Sequence, residues 1–225
     1  MFYRQGLTSA LVALLATASV QATVLTYDFS GSPGVADDAQ IPADYGDNVT
    51  GASMAGGAGT YGYSNFGEGF TPNVTADHGD AQFYGAGYGD LTNVAYADDG
   101  TFSLTLSTGV TQNVTLFSFD LAGFASSYQI NSVSVFANGV QVFLQNNVTV
   151  NGSSNGTGRT SFTFSQPFRG NTISLNFDAS NLGANALNVG IDNIQFGQAV
   201  PEPSSVVLAL SAAGLALVVR RFRRS

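Results

Sequence analysis

The chain has 225 residues and a formal charge of −8, with no cysteine, no tryptophan and no lysine. That acidic balance disfavours nucleic acid and anionic lipid as partners, and the lack of cysteine rules out disulfides and a thiol nucleophile. The charge is uneven: fourteen acidic residues lie between Thr23 and Ala199, where the only bases are Arg159 and Arg169.

In chain order, Met1 to Gly6 carries one arginine, Leu7 to Ala18 is apolar, and Val20-Gln21-Ala22 fits the small-x-small rule. This is the pattern of a secretory signal peptide over 1–22, cut after Ala22. The remaining body, 23–199, has the length of one domain. Val24 to Phe29 reads as a strand with Leu25, Tyr27 and Phe29 on one face, and Gly31 to Asp47 reads as a loop. From 46 to 89, twelve residues are glycine, interleaved with Tyr45, Tyr61, Tyr63, Phe66, Phe70, Phe83, Tyr84 and Tyr88. Glycine at that density favours loops and short strands, with Gln82 to Tyr84 paired to Asn93 to Tyr96. The rings either pin a long loop to the fold or form a sugar-stacking or self-association surface.

His78, the single histidine, sits in Asp77-His78-Gly79-Asp80 and reads as a solvated loop tip rather than a metal cluster.

Beyond Asp99-Gly100, which predicts a turn, alternation becomes clear. Thr101 to Leu106 places Phe102, Leu104 and Leu106 on one face, and Asn113 to Leu121 places Phe117, Phe119 and Leu121 together. Val133 and Val135 lead through Asn138-Gly139 to Val140 and Val142, a strong hairpin signal. Phe162 and Phe164, then Ile173, Leu175 and Phe177, give two more strands. Leu187 to Phe196 alternates and then changes parity at Asp192-Asn193, which predicts a β-bulge. Eight to ten such strands without helical period predict an all-β sandwich of the jelly-roll kind. Six Asn-x-Ser/Thr triplets, at Asn48, Asn73, Asn113, Asn147, Asn151 and Asn155, follow from turn asparagines preceding strand threonines.

Catalytic residues are not assigned. One histidine would have to serve every base role, and the only glutamate of the body is Glu68, in a Gly-Glu-Gly loop. The expectation is a non-enzymatic protein. Calcium is the metal best suited to Asp carboxylates, Asn amides and carbonyls.

The C-terminus, 200–225, combines Pro201, Glu202 and Pro203 with an apolar run from Val206 to Val219 and the bases Arg220, Arg221, Arg223 and Arg224. The prolines end the preceding domain. The run spans about 21 Å as a helix, and Ser204, Ser205 and snorkelling arginines extend it towards the roughly 30 Å hydrocarbon core, giving a single transmembrane helix over 204–219. The basic tail, 220–225, stays in the cytoplasm and places the body outside.

This order of triplet, helix and basic tail resembles the PEP-CTERM sorting signal of bacterial surface proteins, which are handled by membrane-embedded exosortases. The resemblance implies a precursor held transiently at the inner membrane, cut near Pro201 to Pro203, and passed to the cell surface or the extracellular biofilm matrix. The stretches FDLAGF (Phe119 to Phe124), FDASNLG (Phe177 to Gly183) and GIDNIQFG (Gly190 to Gly197) look like the ectodomains that precede such tails. They are also similar in style to carbohydrate-binding-module jelly rolls. That second likeness implies a structural calcium joining the first and last strands, at Asp28 and Asp192, with Asp178 a third candidate. The expected function is an exported surface or matrix protein whose sandwich contacts exopolysaccharide or other copies of itself. A calcium-stabilised carbohydrate-binding module is one alternative and a polysaccharide hydrolase is another.

Overall fold

A computed structural model describes residues 21–25, 36–43, 45, 74–109 and 113–199. The apolar run of the signal peptide, Asp28, most of the Gly/Tyr-rich region and everything from Val200 onward lie outside the described residues. That last part includes Pro201, Glu202, Pro203, the 204–219 helix and the four terminal arginines. Among the described residues no helix is long and apolar enough to cross a membrane.

The described chain forms eleven strands: β1 (Gln21–Leu25), β2 (Thr75–Asp77), β3 (Gln82–Tyr84), β4 (Val94–Tyr96), β5 (Thr101–Ser107), β6 (Asn113–Gly123), β7 (Tyr128–Ala137), β8 (Val140–Val150), β9 (Thr160–Gly170), β10 (Thr172–Asp178) and β11 (Val189–Ala199). A 3-10 segment, Ser180–Asn188, precedes β11. One sheet runs β3-β4-β11-β6-β9, with β1 also paired to β11, and the other runs β2-β5-β10-β7-β8. All pairings between these strands are antiparallel. Their apolar faces close into one core, so the fold is an all-β sandwich.

Local chemistry explains the main turns. At Asn138-Gly139 both residues take positive φ, 51° and 77°, as the tight turn between β7 and β8 requires. Ahead of β5, the Thr101 amide and hydroxyl both donate to Asp99 Oδ1, at 2.8 and 2.7 Å, and Gly100 takes φ 75°. In β5 and β10 the period of two survives intact: Phe102, Leu104 and Leu106 oppose Phe177, Leu175 and Ile173. The Phe102 and Phe177 rings stack at 5.1 Å and 6°.

The bulge predicted in β11 is present. Register with β6 shifts after Asp192, Asn193 takes φ 53°, and both Ile191 and Ile194 are buried. A second bulge, in β6, overturns the expected face of Phe117. Register with β9 and with β11 breaks between Leu116 and Ser118, so Val114, Leu116, Phe119 and Leu121 are buried and Phe117 is half-buried.

The expected first strand, Val24 to Phe29, overlaps β1 at Val24 and Leu25, where β1 pairs with Ile194–Gln198 of β11, and residues 26–29 lie outside the described residues. Two further expectations change, for the last strand and for His78. The last begins at Val189 rather than Leu187, since the chain from Ser180 coils as a 3-10 segment. His78 is not a solvated tip: it is 3% exposed and its ring lies 5.9 Å from that of Tyr45.

Candidate functional site: a tyrosine cleft on the outer face of one sheet

All three residues of β4 are buried because both of its faces are covered. Ala95 points into the sandwich core, while Val94 belongs to a second small cluster with Tyr88, Leu91 and Ala122, against which Tyr84 and Phe124 pack. Glycine makes this possible. A Cβ on Gly190 would lie 2.7 Å from Val94 Cγ2 and 2.9 Å from Tyr88 Cδ1, so the missing side chain lets the Tyr88 ring approach the sheet.

The loop between β3 and β4 is held by its backbone. Leu91 N donates to Tyr88 O at 2.9 Å, Asn93 N to Gly85 O at 3.0 Å, and Ala125 N to Gly87 O at 3.0 Å. Residues 38–41 run beside β3: Asp38 N donates to Phe83 O, Phe83 N to Ala39 O and Ile41 N to Ala81 O, each at 2.9 Å. Asp38 takes φ 65°, a conformation Asp tolerates, and this brings its carboxylate over the β3–β4 pair.

The result is a cleft of about 600 Å³ lined by Tyr84, Tyr88, Tyr96 and Phe124, with Asp38, Asp98, Gln82 and Asn188 around the rings and Leu187 at one side. Tyr88 and Tyr96 form a stacked pair 6.2 Å apart at 26°. Tyr84 and Phe124 meet edge to face at 5.6 Å and 82°. The Tyr88 hydroxyl donates to Leu187 O at 2.7 Å, and that of Tyr96 to Asp38 Oδ1 at 2.7 Å, with Gln82 Oε1 at the same distance. Gln82 Nε2 in turn donates to Asp98 Oδ2.

Burial pushes both the Tyr88 and Tyr96 phenols well above their ordinary range, and for Tyr96 the bond to Asp38 adds to the shift. Both are therefore neutral donors at any physiological pH. The cleft presents the half-buried rings of Tyr84 and Phe124, side-chain amides and two carboxylates, with no cation among its lining residues. Chemically, this suits a ligand with apolar ring faces and several hydroxyl groups, or one carrying an amine.

The residues singled out for calcium are not gathered here. Asp178, at the end of β10, accepts from the Ser180 hydroxyl and amide at 2.6 and 2.9 Å and from Asn131 Nδ2 at 3.1 Å. The Ser180 hydroxyl is the main reason its carboxyl sits below the usual range. Asp192 is buried on β11, in the other sheet, opposite Asp120. Arg159 lies near that pair, 3.5 Å from Asp120 and 3.8 Å from Asp90. Asp28 lies outside the described residues, and among the described residues no group of three or more His, Cys, Asp or Glu could hold a metal.

Sequence reasoning singled out the rings of Tyr84 and Tyr88, placed Tyr96 only as the end of a strand, and missed Asp38, Asp98 and Phe124 as partners. The available signal was the register of β3 on β4, which sets Gln82 opposite Tyr96. Ala22, the expected signal-cleavage residue, lies within β1 opposite Gly197. Cutting there would leave Thr23–Leu25 paired.

The β-sandwich is thus joined at Ala199, the last residue of β11, to a C-terminal segment of another kind. Residues 199–224 match the PEP-CTERM protein-sorting motif, so the chain carries that sorting segment. No curated protein matches the chain. Among solved structures, dimeric latent PorU from Porphyromonas gingivalis aligns at 11% identity and a TM-score of 0.29, covering 81% of this chain and 24% of that one. A likeness that slight carries no argument about fold or function.

Proposed function

We propose that the chain is an exported, non-enzymatic surface protein whose tyrosine cleft binds a neutral or amine-bearing exopolysaccharide after the tail has been processed by an exosortase-like membrane protease. The cleft is the observation that carries the glycan reading: two half-buried rings, Tyr84 and Phe124, backed by the buried Tyr88 and Tyr96 and bordered by carboxylate and amide groups, offer stacking and hydroxyl recognition together. Its carboxylates repel uronate-rich polymers, so the ligand is not polyanionic. The strand order supports a jelly-roll reading, since β1-β11-β6-β9 facing β5-β10-β7-β8 is the order of two interleaved Greek keys. The motif at 199–224 supports export through the membrane with the tail as an address.

Two measurements test the two halves. Intact mass and location of the protein, expressed with and without its sorting machinery, should give a surface or released form ending near Pro201 to Pro203 only when the machinery is present. Retention of the processed protein on a glycan panel should favour neutral or amino-sugar polymers over uronates. Tyr84→Ala and Phe124→Ala should each weaken that binding by about fivefold, on the order of 1 kcal/mol per ring. Equal retention on uronates, or binding unchanged by both substitutions, would remove the glycan role.

A further inference from the structure

Besides β1, a five-residue strand set beside β11, the two sheets end in four edge strands, and three of these are blunted. β2 and β3 are three residues each, and the backbone of 38–41 already bonds along β3. β9 is long but carries Pro167 and Arg169, and its register with β6 breaks near that proline. Proline, bulges, charge and short length are the usual devices that keep sheet edges from pairing with other chains.

β8 differs from the other three. Its eleven residues, VQVFLQNNVTV, contain no proline, no glycine and no charge. It has one bulge, the extra residue at Val142, and a left-handed residue at Asn147 (φ 53°), but from Phe143 to Val150 it keeps one register with β7. Val140, Val142 and Leu144 are 65%, 39% and 47% exposed, and they are three of the four large apolar residues exposed among the described residues.

Charge says what covers this edge. Between Asp120 and Asp178 the chain has no acidic residue at all, although the body around it carries fourteen. That acid-free stretch contains β7, β8 and β9 entire. Two copies of so acidic a domain repel each other over most orientations, and meeting at β8 avoids setting carboxylates face to face.

We infer that β8 pairs antiparallel with β8 of a second copy, joining two five-stranded sheets across a two-fold axis, with Val140, Val142 and Leu144 as its apolar contacts. The pairing uses the opposite side of the molecule's strand order from the tyrosine cleft and does not depend on glycan binding. A surface protein built this way presents two clefts per assembly and gains avidity on a repetitive polymer.

The lack of cysteine makes the test direct, because any introduced cysteine is alone. The protein, purified after export with its tail state known from intact mass, would be measured by sedimentation over a concentration series. Leu144→Cys and Thr75→Cys, the latter on the far edge of the same sheet, would be oxidised in parallel. The wild type should dimerise, L144C should form covalent dimers at least about tenfold faster than T75C, and Leu144→Asp should raise the dimer dissociation constant by about tenfold or more. Circular dichroism checks that L144D is folded, and if it is not, the two cysteine variants decide the matter alone. A wild type that stays monomeric at all concentrations, or equal crosslinking rates for T75C and L144C, would overturn the assignment.

Discussion

Two aromatic clusters lie on opposite sides of the β11-β6-β9 sheet and are built from different residues. Inside the sandwich, Phe119 stacks on Phe162 at 4.7 Å and 12°, Phe143 meets Phe164 edge to face at 5.3 Å, and Phe164 packs on Phe168 at 4.6 Å. Outside, the rings are Tyr84, Tyr88 and Tyr96 with Phe124, and their hydroxyls reach Leu187 O and Asp38. A phenylalanine can be sealed from water at no polar cost, whereas a buried phenol needs a partner. The inner cluster is therefore where stability resides, and the outer one is where polar groups converge on rings. Substitutions should separate the two.

The largest effect is expected from Phe119→Ala. Phe119 is fully buried and stacked on its cross-strand partner, so truncation should cost about 3–5 kcal/mol through lost burial and the cavity left behind. Chemical denaturation would measure it. Any protein that still folds should keep its glycan affinity, since the cleft lies across the sheet.

Acid should separate the regions next. Burial holds His78 at a pKa of about 4, against 6.5 when unfolded, with Asp77 opposing the shift weakly. Between those values the unfolded chain takes up a proton that the folded chain refuses. The stabilisation tied to the neutral ring is thus complete above about pH 6.5, is lost as pH falls towards 4, and loses nothing more below that. Its size is roughly 3 kcal/mol. Comparing urea midpoints at pH 7 and pH 4.5 for wild type and His78→Asn isolates it: the variant should be less acid-sensitive, and an unchanged pH dependence would show that His78 is not buried neutral.

These contrasts also mark where sequence reasoning could reach. The Asn138-Gly139 hairpin and the β11 bulge were legible because each is written in adjacent residues, a turn dipeptide in one case and a parity change in the other. The β6 bulge was not, since Leu116, Phe117 and Phe119 are all apolar and either face could have taken Phe117. His78 looked solvated because the ring it packs beside, Tyr45, is remote in the chain. The cleft was hidden for the same reason. Its bonds join Tyr96 to Asp38 across 58 positions and Tyr88 to Leu187 across 99, and no local pattern announces such pairs. The tyrosines themselves were visible, but only the fold shows that they gather on the outside of the sheet rather than within it.

The smallest effect, and the sharpest for the outer cluster, is expected from Tyr96→Phe. The ring and its stack on Tyr88 stay, while the bond to Asp38 is lost. Asp38 is exposed and can rehydrate, so the stability loss should be only about 1 kcal/mol, at the low end for a bond to a charged acceptor. Asp38 would, however, lose the contact that fixes its carboxylate over the cleft, and a ligand would have to order it on binding. Glycan affinity should therefore fall more than stability does, by about tenfold, with the melting transition shifted only slightly. Equal affinity in Y96F and wild type would mean that Asp38 takes no part in recognition, and the cleft would then bind through its rings alone.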